Sequence, residues 1–435
     1  MNHANSWLGR EFELDVGPIA HGGHCVARVG GEHGRVIFVR HTLPGERVRA
    51  RVTEDLGGAF CRADAVEVLV ASTDRVPRPC PFSGPGRCGG CDFQHVDPPA
   101  QRRLKAAVVA EQLHRLGGVD VGVQVEALPG GALGWRTRVA YATAPDGRLG
   151  LRRHRSHHVE VVDHCPIGAA GVGDGPELSR NWPDTSAVEV VAGSDERAVL
   201  VTPTAAAPGR PNRSAGRRSG RHDRGRRPLA RDPQQVTGPD RLPHEVLGRT
   251  FTVTASGFWQ VHPAAATTFV TTALELLRPR PGERAVDLYA GAGLFSAFLA
   301  ETVGPTGAVV GLEGSRPAVA DAALNLAGTP WAEVRHGAVT AAAVTELGPA
   351  DVVVLDPPRS GVGRAVLAAV LDLGPRAVAY VACDPAAFAR DVATACELGW
   401  ALADLRAFDS FPMTQHVECV GLLVPQRPDV SLPPS

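Results

Sequence analysis

The sequence predicts an α/β protein with a doubly wound parallel sheet in its C-terminal part and a small β-barrel at its N-terminus. From Arg284 onward, short runs that are apolar throughout alternate with helical segments, as expected for parallel strands covered by helices on both faces. Between Glu11 and Ala71 the chain instead alternates polar and apolar residues between glycine turns, a pattern typical of a small barrel. A cysteine-bearing region with short strands separates the two and predicts a third, smaller unit.

The length of the chain indicates several domains. Its 435 residues exceed what one hydrophobic core normally organises. We expect boundaries near residues 75 and 250, which give the segments 1–75, 76–250 and 251–435. Within the middle segment, residues 205–233 are crowded with arginine, glycine and proline and almost lack large apolar residues. This stretch predicts a flexible cationic loop, because it cannot build a core.

The composition limits the classes of function. No apolar run approaches the roughly 20 residues of a membrane-spanning helix, and the N-terminus lacks the basic start and apolar core of a secretory signal. We therefore expect a cytoplasmic protein without a membrane partner, and a monomer is favoured. Nine cysteines in a reducing compartment indicate metal ligation or catalysis rather than disulfides. A formal net charge of −1 predicts no global attraction to nucleic acid.

Three of the cysteines lie close together in the middle segment. Cys80, Cys88 and Cys91 fall within a dozen positions, and the last two have the C-x-x-C spacing of a metal site. A zinc site or an iron-sulfur cluster built from thiolates would need a fourth cysteine. The stretch therefore predicts part of a metal centre whose remaining ligand lies elsewhere in the chain.

The first strand-to-helix turn of the C-terminal part predicts a nucleotide-like cofactor. In "AVDLYAGAGLFSAFLA", Asp287 closes the strand, and Gly291 and Gly293 open the helix, where small residues let a ligand approach the backbone. A dinucleotide site would have a third glycine or alanine three positions after Gly293, but this chain has Ser296. Glu313 ends the next strand and can accept hydrogen bonds from ribose hydroxyls, which suits NAD and S-adenosylmethionine equally.

Two further strand ends carry functional motifs. One favours S-adenosylmethionine over NAD, and the other supplies a candidate nucleophile. The strand that ends in "LDPPRSG" places Asp356 before two prolines, which is characteristic of methyltransferases that use S-adenosylmethionine. Cys383, in "YVACDPAAFARD", ends another strand at the same carboxyl edge, where doubly wound folds place their sites. A thiolate there is a candidate nucleophile. The alternative is a buried core cysteine, which is how we interpret Cys396.

Four motifs in the last two hundred residues carry a family resemblance: "FWQVHP", "DPPRSG", "YVACDPAAFARD" and "FPMTQHVECV". Two further features accompany these motifs. The N-terminal segment contains "HGGHCVARV" followed by "GERVRARV", and the cysteine pattern includes a distant Cys-Pro. Together they resemble the RNA 5-methyluridine methyltransferases over nearly the whole chain, except about 172–245. The resemblance implies an OB-like TRAM barrel, a cluster-binding central domain and a Rossmann-like class I methyltransferase domain. It implies RNA as the partner, with ribosomal RNA favoured over transfer RNA.

The resemblance also implies a covalent mechanism. Carbon 5 of uracil is too poor a nucleophile to take a methyl group directly, so a thiolate first adds to carbon 6. By resemblance Cys383 is that thiolate, and Glu418 is the general base that removes the proton from carbon 5. Asp356 is expected near the polar edge of the pyrimidine, where it helps to stabilise the enolate. Phe258 is expected to contact the base, which must be flipped out or single stranded.

Two cofactors follow from the resemblance. The residues implied to hold S-adenosylmethionine are Gln260, Asp287, Tyr289, Gly291, Gly293, Glu313 and Asp356. The residues implied to hold a [4Fe-4S] cluster, with zinc as the runner-up, are Cys80, Cys88, Cys91 and Cys165. The cluster is expected to be structural or to face the RNA, because methyl transfer needs no electron.

The chain departs from the family pattern at two positions near the site. Asp384 follows the nucleophile where the family mostly has asparagine, and His262 stands where an asparagine is common. Two alternatives come from other classes of protein. An RNA-binding protein with lapsed catalysis would not need Cys383 and Glu418, and an amine-directed methyltransferase would need an aromatic residue in place of Arg359.

Overall fold

The structure is a computed structural model that describes residues 6–31, 33–204 and 233–426. It contains three large sheets and a separate two-stranded hairpin. The predicted cationic loop, residues 205–233, lies outside the described residues apart from Pro233. None of the helices in these ranges has the length and apolar character that a membrane crossing requires.

The first sheet is formed by the alternating N-terminal strands. It has six strands in the order β1-β5-β6-β4-β3-β2, of which β4 and β6 are parallel. Ile37, Val39 and Val48 are fully buried in one apolar core, because successive side chains of a strand point to opposite faces. The strands are β1 Glu11–Asp15, β2 Ile19–Ala20, β3 His24–Val29, β4 Arg35–Arg40, β5 Arg47–Glu54 and β6 Phe60–Val70.

A helix joins this sheet to the rest of the molecule. Helix α1, Pro98–Gln112, begins with two prolines, which are tolerated in the first turn, and continues through a wider turn at Leu113–Gly117. Val108 packs in the core of the first sheet, whereas Val109 packs in the core of the C-terminal sheet. The two faces of α1 therefore belong to two different cores.

Lys105 lies in the same joint and is the only lysine of the chain. Its buried ammonium donates hydrogen bonds to the carboxylate of Asp409 and to the carbonyl oxygen of Phe411. Burial lowers the pKa of Lys105, and the charge of Asp409 opposes that shift. Removing one partner of a buried ion pair typically costs about 3–5 kcal/mol, so this pair fixes α1 against the C-terminal domain.

The second sheet belongs to the cysteine-bearing region. Its six strands are antiparallel in the order β10-β9-β8-β11-β12-β13, and the hairpin β14-β15 follows it. Tyr141 is fully buried in its core and donates a hydrogen bond to the carbonyl of Val172 at 2.8 Å. The strands are β8 Arg138–Thr143, β9 Leu149–Arg152, β10 Val159–Val161, β11 Thr185–Ala192, β12 Arg197–Pro203, β13 Gln234–Thr237, β14 Arg241–Val246 and β15 Arg249–Thr254.

The third sheet is the predicted doubly wound one. Its eight strands have the order β18-β17-β16-β19-β20-β22-β21-β7, and the first five are parallel. Strands β19 and β20 are buried at every position, because helices cover both faces of the sheet. The strands are β7 Val125–Ala127, β16 Arg284–Leu288, β17 Ala308–Glu313, β18 Ala332–His336, β19 Val352–Leu355, β20 Ala377–Ala382, β21 Trp400–Asp409 and β22 Glu418–Pro425.

One edge strand of this sheet comes from far upstream. Strand β7 lies within the segment 76–250 that we assigned to the middle domain, yet it pairs in parallel with β21. It follows α1, whose Val109 is already buried in the same core. The remaining helices are α2 Ala265–Leu277, α3 Leu294–Val303, α4 Arg316–Asn325, α5 Ala341–Thr345, α6 Arg364–Asp372 and α7 Pro385–Glu397.

The order of the parallel strands reverses between β16 and β19. From β16 the chain proceeds outward through β17 and β18, and then returns to β19 and β20 on the other side. Ligands of doubly wound sheets bind outside the carboxyl ends of the strands at such a reversal. The fold therefore directs attention to the residues that end β16, β17, β19 and β20.

Candidate active site

Asp287 lies in β16 at the reversal point and is fully buried. Its Oδ2 accepts hydrogen bonds from the backbone N–H of Ser296 at 2.9 Å and from the Ser296 hydroxyl at 2.6 Å. Its Oδ1 is buried and has no partner in the described residues. Burial raises the pKa of Asp287 to about 6, and the charge of Glu313 adds to the rise. An unpaired buried oxygen of this kind is available to a ligand.

The turn after β16 is shaped by three residues with positive φ: Tyr289 at 64°, Gly291 at 54° and Gly293 at 84°. The N–H of Gly291 donates to Glu313 Oε2 at 2.9 Å, so the carboxylate at the end of β17 holds the turn. A side chain at Gly293 would have its Cβ 3.2 Å from the Cβ of Ala322, whereas a Cβ at Gly291 would meet nothing within 4 Å. The turn is therefore packed against α4 on one side and open on the other.

Asp356 follows β19, the strand next to β16, and lies two positions beyond Val354, the residue that pairs with Asp287. The pairing of Asp287 with Val354 puts the two carboxylates at the same end of the sheet. Removal from water raises the pKa of Asp356 to about 7, and the charge of Asp287 contributes to this shift. The site thus begins as a cluster of carboxylates that favour a proton or a cation.

Cys383 and Glu418 come together through the antiparallel pairing of β20 with β22. Ala382 pairs with Cys419. Because the strands are antiparallel, the residue after Ala382 and the residue before Cys419 are the next opposed positions, which places Cys383 beside Glu418. Burial raises the pKa of the half-buried Cys383 thiol to about 12, with further contributions from the charges of Glu418 and Asp356. Burial also raises the pKa of Glu418 well above its usual range. The structure therefore brings the predicted nucleophile, base and aspartate into one charge cluster.

Arg359 is the cation that opposes these shifts. Its guanidinium lowers the pKa of both Cys383 and Glu418, and its Nη2 lies 3.5 Å from Nε2 of His416. Burial, and then the charge of Arg359, lower the pKa of His416 to about 4, so this ring is neutral at pH 7. Sequence reasoning missed His416 and assigned Arg359 no role, although both lie inside motifs that it singled out.

Phe258 and Gln260 lie on a separate segment between β15 and α2. Phe258 is 73% exposed, so its ring is accessible to a partner. Gln260 is half-buried beside Trp259 and contributes to a cavity of about 480 Å³ between this segment and β11, β12 and β14.

His262 is one of the two positions that depart from the family pattern. Its ring stacks on the indole of Trp135, with centroids 5.8 Å apart and an angle of 19° between the planes. Burial lowers its pKa to about 4, so the ring packs as a neutral aromatic group. At this position the histidine contributes to the joint between the middle domain and the segment that carries Gln260.

The four predicted cluster ligands share one neighbourhood in the middle domain. Cys80, Cys88 and Cys165 are buried and Cys91 is half-buried. Every pair among them is close enough for their charges to interact. In the part of the chain that the structure describes, no three His, Cys, Asp or Glu side chains gather tightly enough to hold a metal ion. The thiols therefore converge without forming a compact site.

Backbone N–H groups point at three of these sulfurs. The N–H of Gly90 donates to Cys88 Sγ at 3.4 Å. Cys80 and Cys165 each accept from the backbone of the residues two and three positions further on. Burial raises the pKa of all four thiols; the backbone donors oppose this rise at three of them, and the side chain of Gln94 opposes it at Cys91. Such hydrogen bonds favour the thiolate form that metal ligands require.

Comparisons with known proteins identify the family. The profile described as TRAM domain matches residues 6–66, tRNA (Uracil-5-)-methyltransferase matches 347–427, and Protein-L-isoaspartate(D-aspartate) O-methyltransferase matches 257–349. An uncharacterized RNA methyltransferase of Streptomyces coelicolor is 48% identical over 97% of this chain and 94% of its own. A 23S rRNA (uracil(1939)-C(5))-methyltransferase of Alkalilimnicola ehrlichii is 33% identical over 97% of this chain and 98% of its own. The chain belongs to the RNA uracil-C5 methyltransferase family.

As a member of this family, the chain is an enzyme that uses S-adenosylmethionine to methylate uracil carbon 5 in RNA. The crystal structure of the Pyrococcus abyssi tRNA (uracil-54, C5)-methyltransferase in complex with S-adenosyl-L-homocysteine has a TM-score of 0.68 to this chain. The match covers 94% of this chain and 99% of that one at 22% identity. This likeness and the TRAM match confirm the predicted fold class, with a TRAM domain at the N-terminus and a class I methyltransferase fold at the C-terminus.

Proposed function

We propose that this RNA uracil-C5 methyltransferase modifies a uridine of ribosomal RNA through a covalent intermediate on Cys383. The adjacency of Cys383 and Glu418 at the ends of β20 and β22 carries the proposal, because the reaction needs a nucleophile and a base on the same pyrimidine. Similarity over 97% of the chain to a relative named for 23S ribosomal RNA supports this substrate class. Transfer RNA is the alternative substrate.

The chemistry assigns each residue one step. Cys383 loses its proton to solvent and its thiolate adds to carbon 6, which moves the electrons of the double bond into an enolate that is nucleophilic at carbon 5. S-adenosylmethionine supplies the methyl group for carbon 5. Glu418 then takes the proton from carbon 5, the double bond reforms, and the carbon–sulfur bond breaks to return the thiolate. Glu418 then passes this proton to solvent, so each turnover releases one proton together with S-adenosylhomocysteine.

Asp356 and Arg359 support this sequence of steps from the same charge cluster. Protonated Asp356, whose pKa is about 7, can donate a hydrogen bond to the pyrimidine edge where the enolate charge develops. The Arg359 guanidinium favours the thiolate of Cys383 and the carboxylate of Glu418. Exposed Phe258 is proposed to contact the flipped base, since an aromatic face stacks on any base.

The open glycine turn fits S-adenosylmethionine. The unpaired Oδ1 of Asp287 and the space above Gly291 are features that a ligand would use. Glu313 already accepts backbone hydrogen bonds with both oxygens and retains lone pairs for ribose hydroxyls. The carboxylates of this edge suit the positive sulfonium and ammonium groups of the cofactor. The proposed binding residues are Gln260, Asp287, Tyr289, Gly291, Gly293, Glu313 and Asp356.

The converging thiols fit a [4Fe-4S] cluster better than zinc. Four thiolates are the usual donor set of such a cluster, and N–H groups directed at sulfur are typical of its surroundings. Tetrahedral zinc at 2.3 Å from each sulfur would draw the sulfurs to roughly 3.8 Å of one another, whereas iron and sulfide ions fill a wider space. The proposed ligands are Cys80, Cys88, Cys91 and Cys165.

We expect Cys91→Ser to lose most of its iron when the protein is purified without oxygen. Serine is a poor ligand for iron in a cluster, so the three remaining thiols hold it weakly. Iron, acid-labile sulfide and zinc are measured in the variant, in wild type and in Cys396→Ser, a half-buried cysteine outside this group. Zinc without sulfide in wild type would contradict the cluster and favour the runner-up.

The substrate class is tested with RNA from cells that lack the gene. Ribosomal and transfer RNA are purified separately and incubated with the enzyme and isotopically labelled S-adenosylmethionine. We expect labelled 5-methyluridine in the large ribosomal RNA, and much less when the RNA comes from cells that keep the gene, because its target is already methylated. Label in transfer RNA alone would overturn the ribosomal assignment, and label in neither would overturn the proposed function in this cell.

A further inference from the structure

The turn between β2 and β3 brings the TRAM barrel into contact with the nucleophile loop. Nε2 of His21 lies 3.2 Å from Oδ2 of Asp384, the residue directly after Cys383. The two side chains are 34% and 25% exposed, so the pair is partly shielded from water. A contact across more than 350 positions of sequence thus ends one residue from the proposed nucleophile.

The same turn is seated against the loop that leads to Glu418. Gly23 has a φ of 75°, and a Cβ at this position would lie 2.8 Å from the Cβ of Gln415 and 3.2 Å from that of Asp92. The backbone N–H of Gln415 donates to Asp92 Oδ2 at 3.2 Å. Only a glycine allows this approach. The turn is therefore wedged beside both catalytic loops.

Asp384 uses its two carboxylate oxygens for two different tasks. Oδ1 accepts the backbone N–H of Ala387 at 2.8 Å and caps α7. Oδ2 faces His21. Burial opposes ionisation of Asp384, but the hydrogen bonds from His21 and Ala387 outweigh it and lower its pKa. The residue is a half-buried carboxylate whose orientation is fixed from the helix and from the barrel.

We infer that His21 is a positioning residue for Cys383, acting through Asp384. The inference rests on the proposed role of Cys383 as the nucleophile. Without His21, the half-buried carboxylate of Asp384 would lose the hydrogen bond that orients it, one residue from the thiol. The loop would also lose its attachment to the barrel. The TRAM domain therefore contributes a side chain to the geometry of catalysis in addition to any contact with RNA.

The test measures how fast the enzyme forms a covalent adduct with 5-fluorouridine RNA at saturating RNA and S-adenosylmethionine. We expect His21→Ala to lower this rate by about 5- to 20-fold, while the KM values for both substrates change less than about 2-fold. His21→Gln, which keeps a hydrogen-bond donor at this position, should fall between the two. Thermal unfolding is followed in parallel, because a purely structural role would lower Tm without this selective loss of rate.

Asp384→Asn supplies the decisive background. Asparagine caps a helix as well as aspartate does, so the substitution removes the carboxylate charge while keeping α7 in place. In this background His21→Ala should slow the adduct by less than about 2-fold, because the carboxylate through which His21 acts is gone. The matched control is His114→Ala, which breaks an exposed histidine–aspartate pair with Asp120 and should leave the rate unchanged.

The reference variant Cys383→Ala separates two kinds of failure. If it still forms the adduct, the proposed nucleophile is wrong. If it forms none, equal rates for wild type and His21→Ala overturn the positioning role alone. Equal losses from His21→Ala with and without Asp384→Asn also overturn it, since the effect would then not pass through the carboxylate.

Discussion

Replacing Cys383 by alanine is expected to abolish formation of 5-methyluridine, with a loss on the order of 10⁴-fold or more, as for other essential nucleophiles. Without the thiolate, carbon 5 stays unactivated and the methyl group has no acceptor. Binding of S-adenosylmethionine should persist, because the proposed cofactor residues do not include Cys383. Labelled methyl transfer and the denaturation-resistant adduct with 5-fluorouridine RNA are measured on the same preparations.

Cys396→Ala is the matched control for this loss. Cys396 is also half-buried, lies in α7 and packs against the apolar core, so its removal tests for nonspecific effects of losing a thiol. We expect it to retain most of the wild-type activity. A Cys383→Ala enzyme that keeps more than about a hundredth of the wild-type rate would contradict a covalent mechanism through this residue.

Replacing Glu418 by glutamine is expected to trap the enzyme on its substrate. The amide cannot accept the proton from carbon 5, so turnover should fall by about 10²- to 10⁴-fold, the usual contribution of a general base. The covalent adduct with ordinary uridine should accumulate, because thiolate addition and methyl transfer precede the blocked step. Denaturing electrophoresis detects the adduct, and mass spectrometry should show that its base already carries the methyl group.

The pH dependence provides an independent check on Glu418. Its pKa is raised by burial and by Asp356, so the carboxylate that acts as base becomes more abundant as pH rises through that pKa. In wild type, release of the methylated product should therefore accelerate with pH, whereas Glu418→Gln should lack this rise. Loss of activity without adduct would contradict the role of base and would indicate a role before thiolate addition.

The sequence was sufficient to predict which candidate residues lie at strand ends. Asp287 and Cys383 follow or end apolar runs, and parallel strands with buried faces bring their carboxyl ends to one edge whatever the packing details. The positive φ of Tyr289, in contrast, is not readable from its identity, because tyrosine rarely adopts that conformation. It depends on the turn that Gly291 and Glu313 hold.

Contacts between distant parts of the chain could not be predicted from local patterns. Strand β7 is three residues long and joins a sheet whose other strands begin more than 150 positions later. His21 lies in a glycine-rich turn that reads as an ordinary barrel loop, and its partner Asp384 reads as a helix cap. Periodicity and motif spacing describe neighbours in sequence, whereas these contacts depend on how distant parts of the chain pack together.

The buried joint at α1 contains the only lysine of the enzyme. Since Lys105 is the only lysine and its side chain is enclosed between two cores, a lysine-specific protease has one cleavage site in the whole chain. That site becomes accessible only when α1 separates from the C-terminal domain. The rate at which the intact enzyme is cut into two fragments therefore reports how often this joint opens, and it does so without any label or mutation.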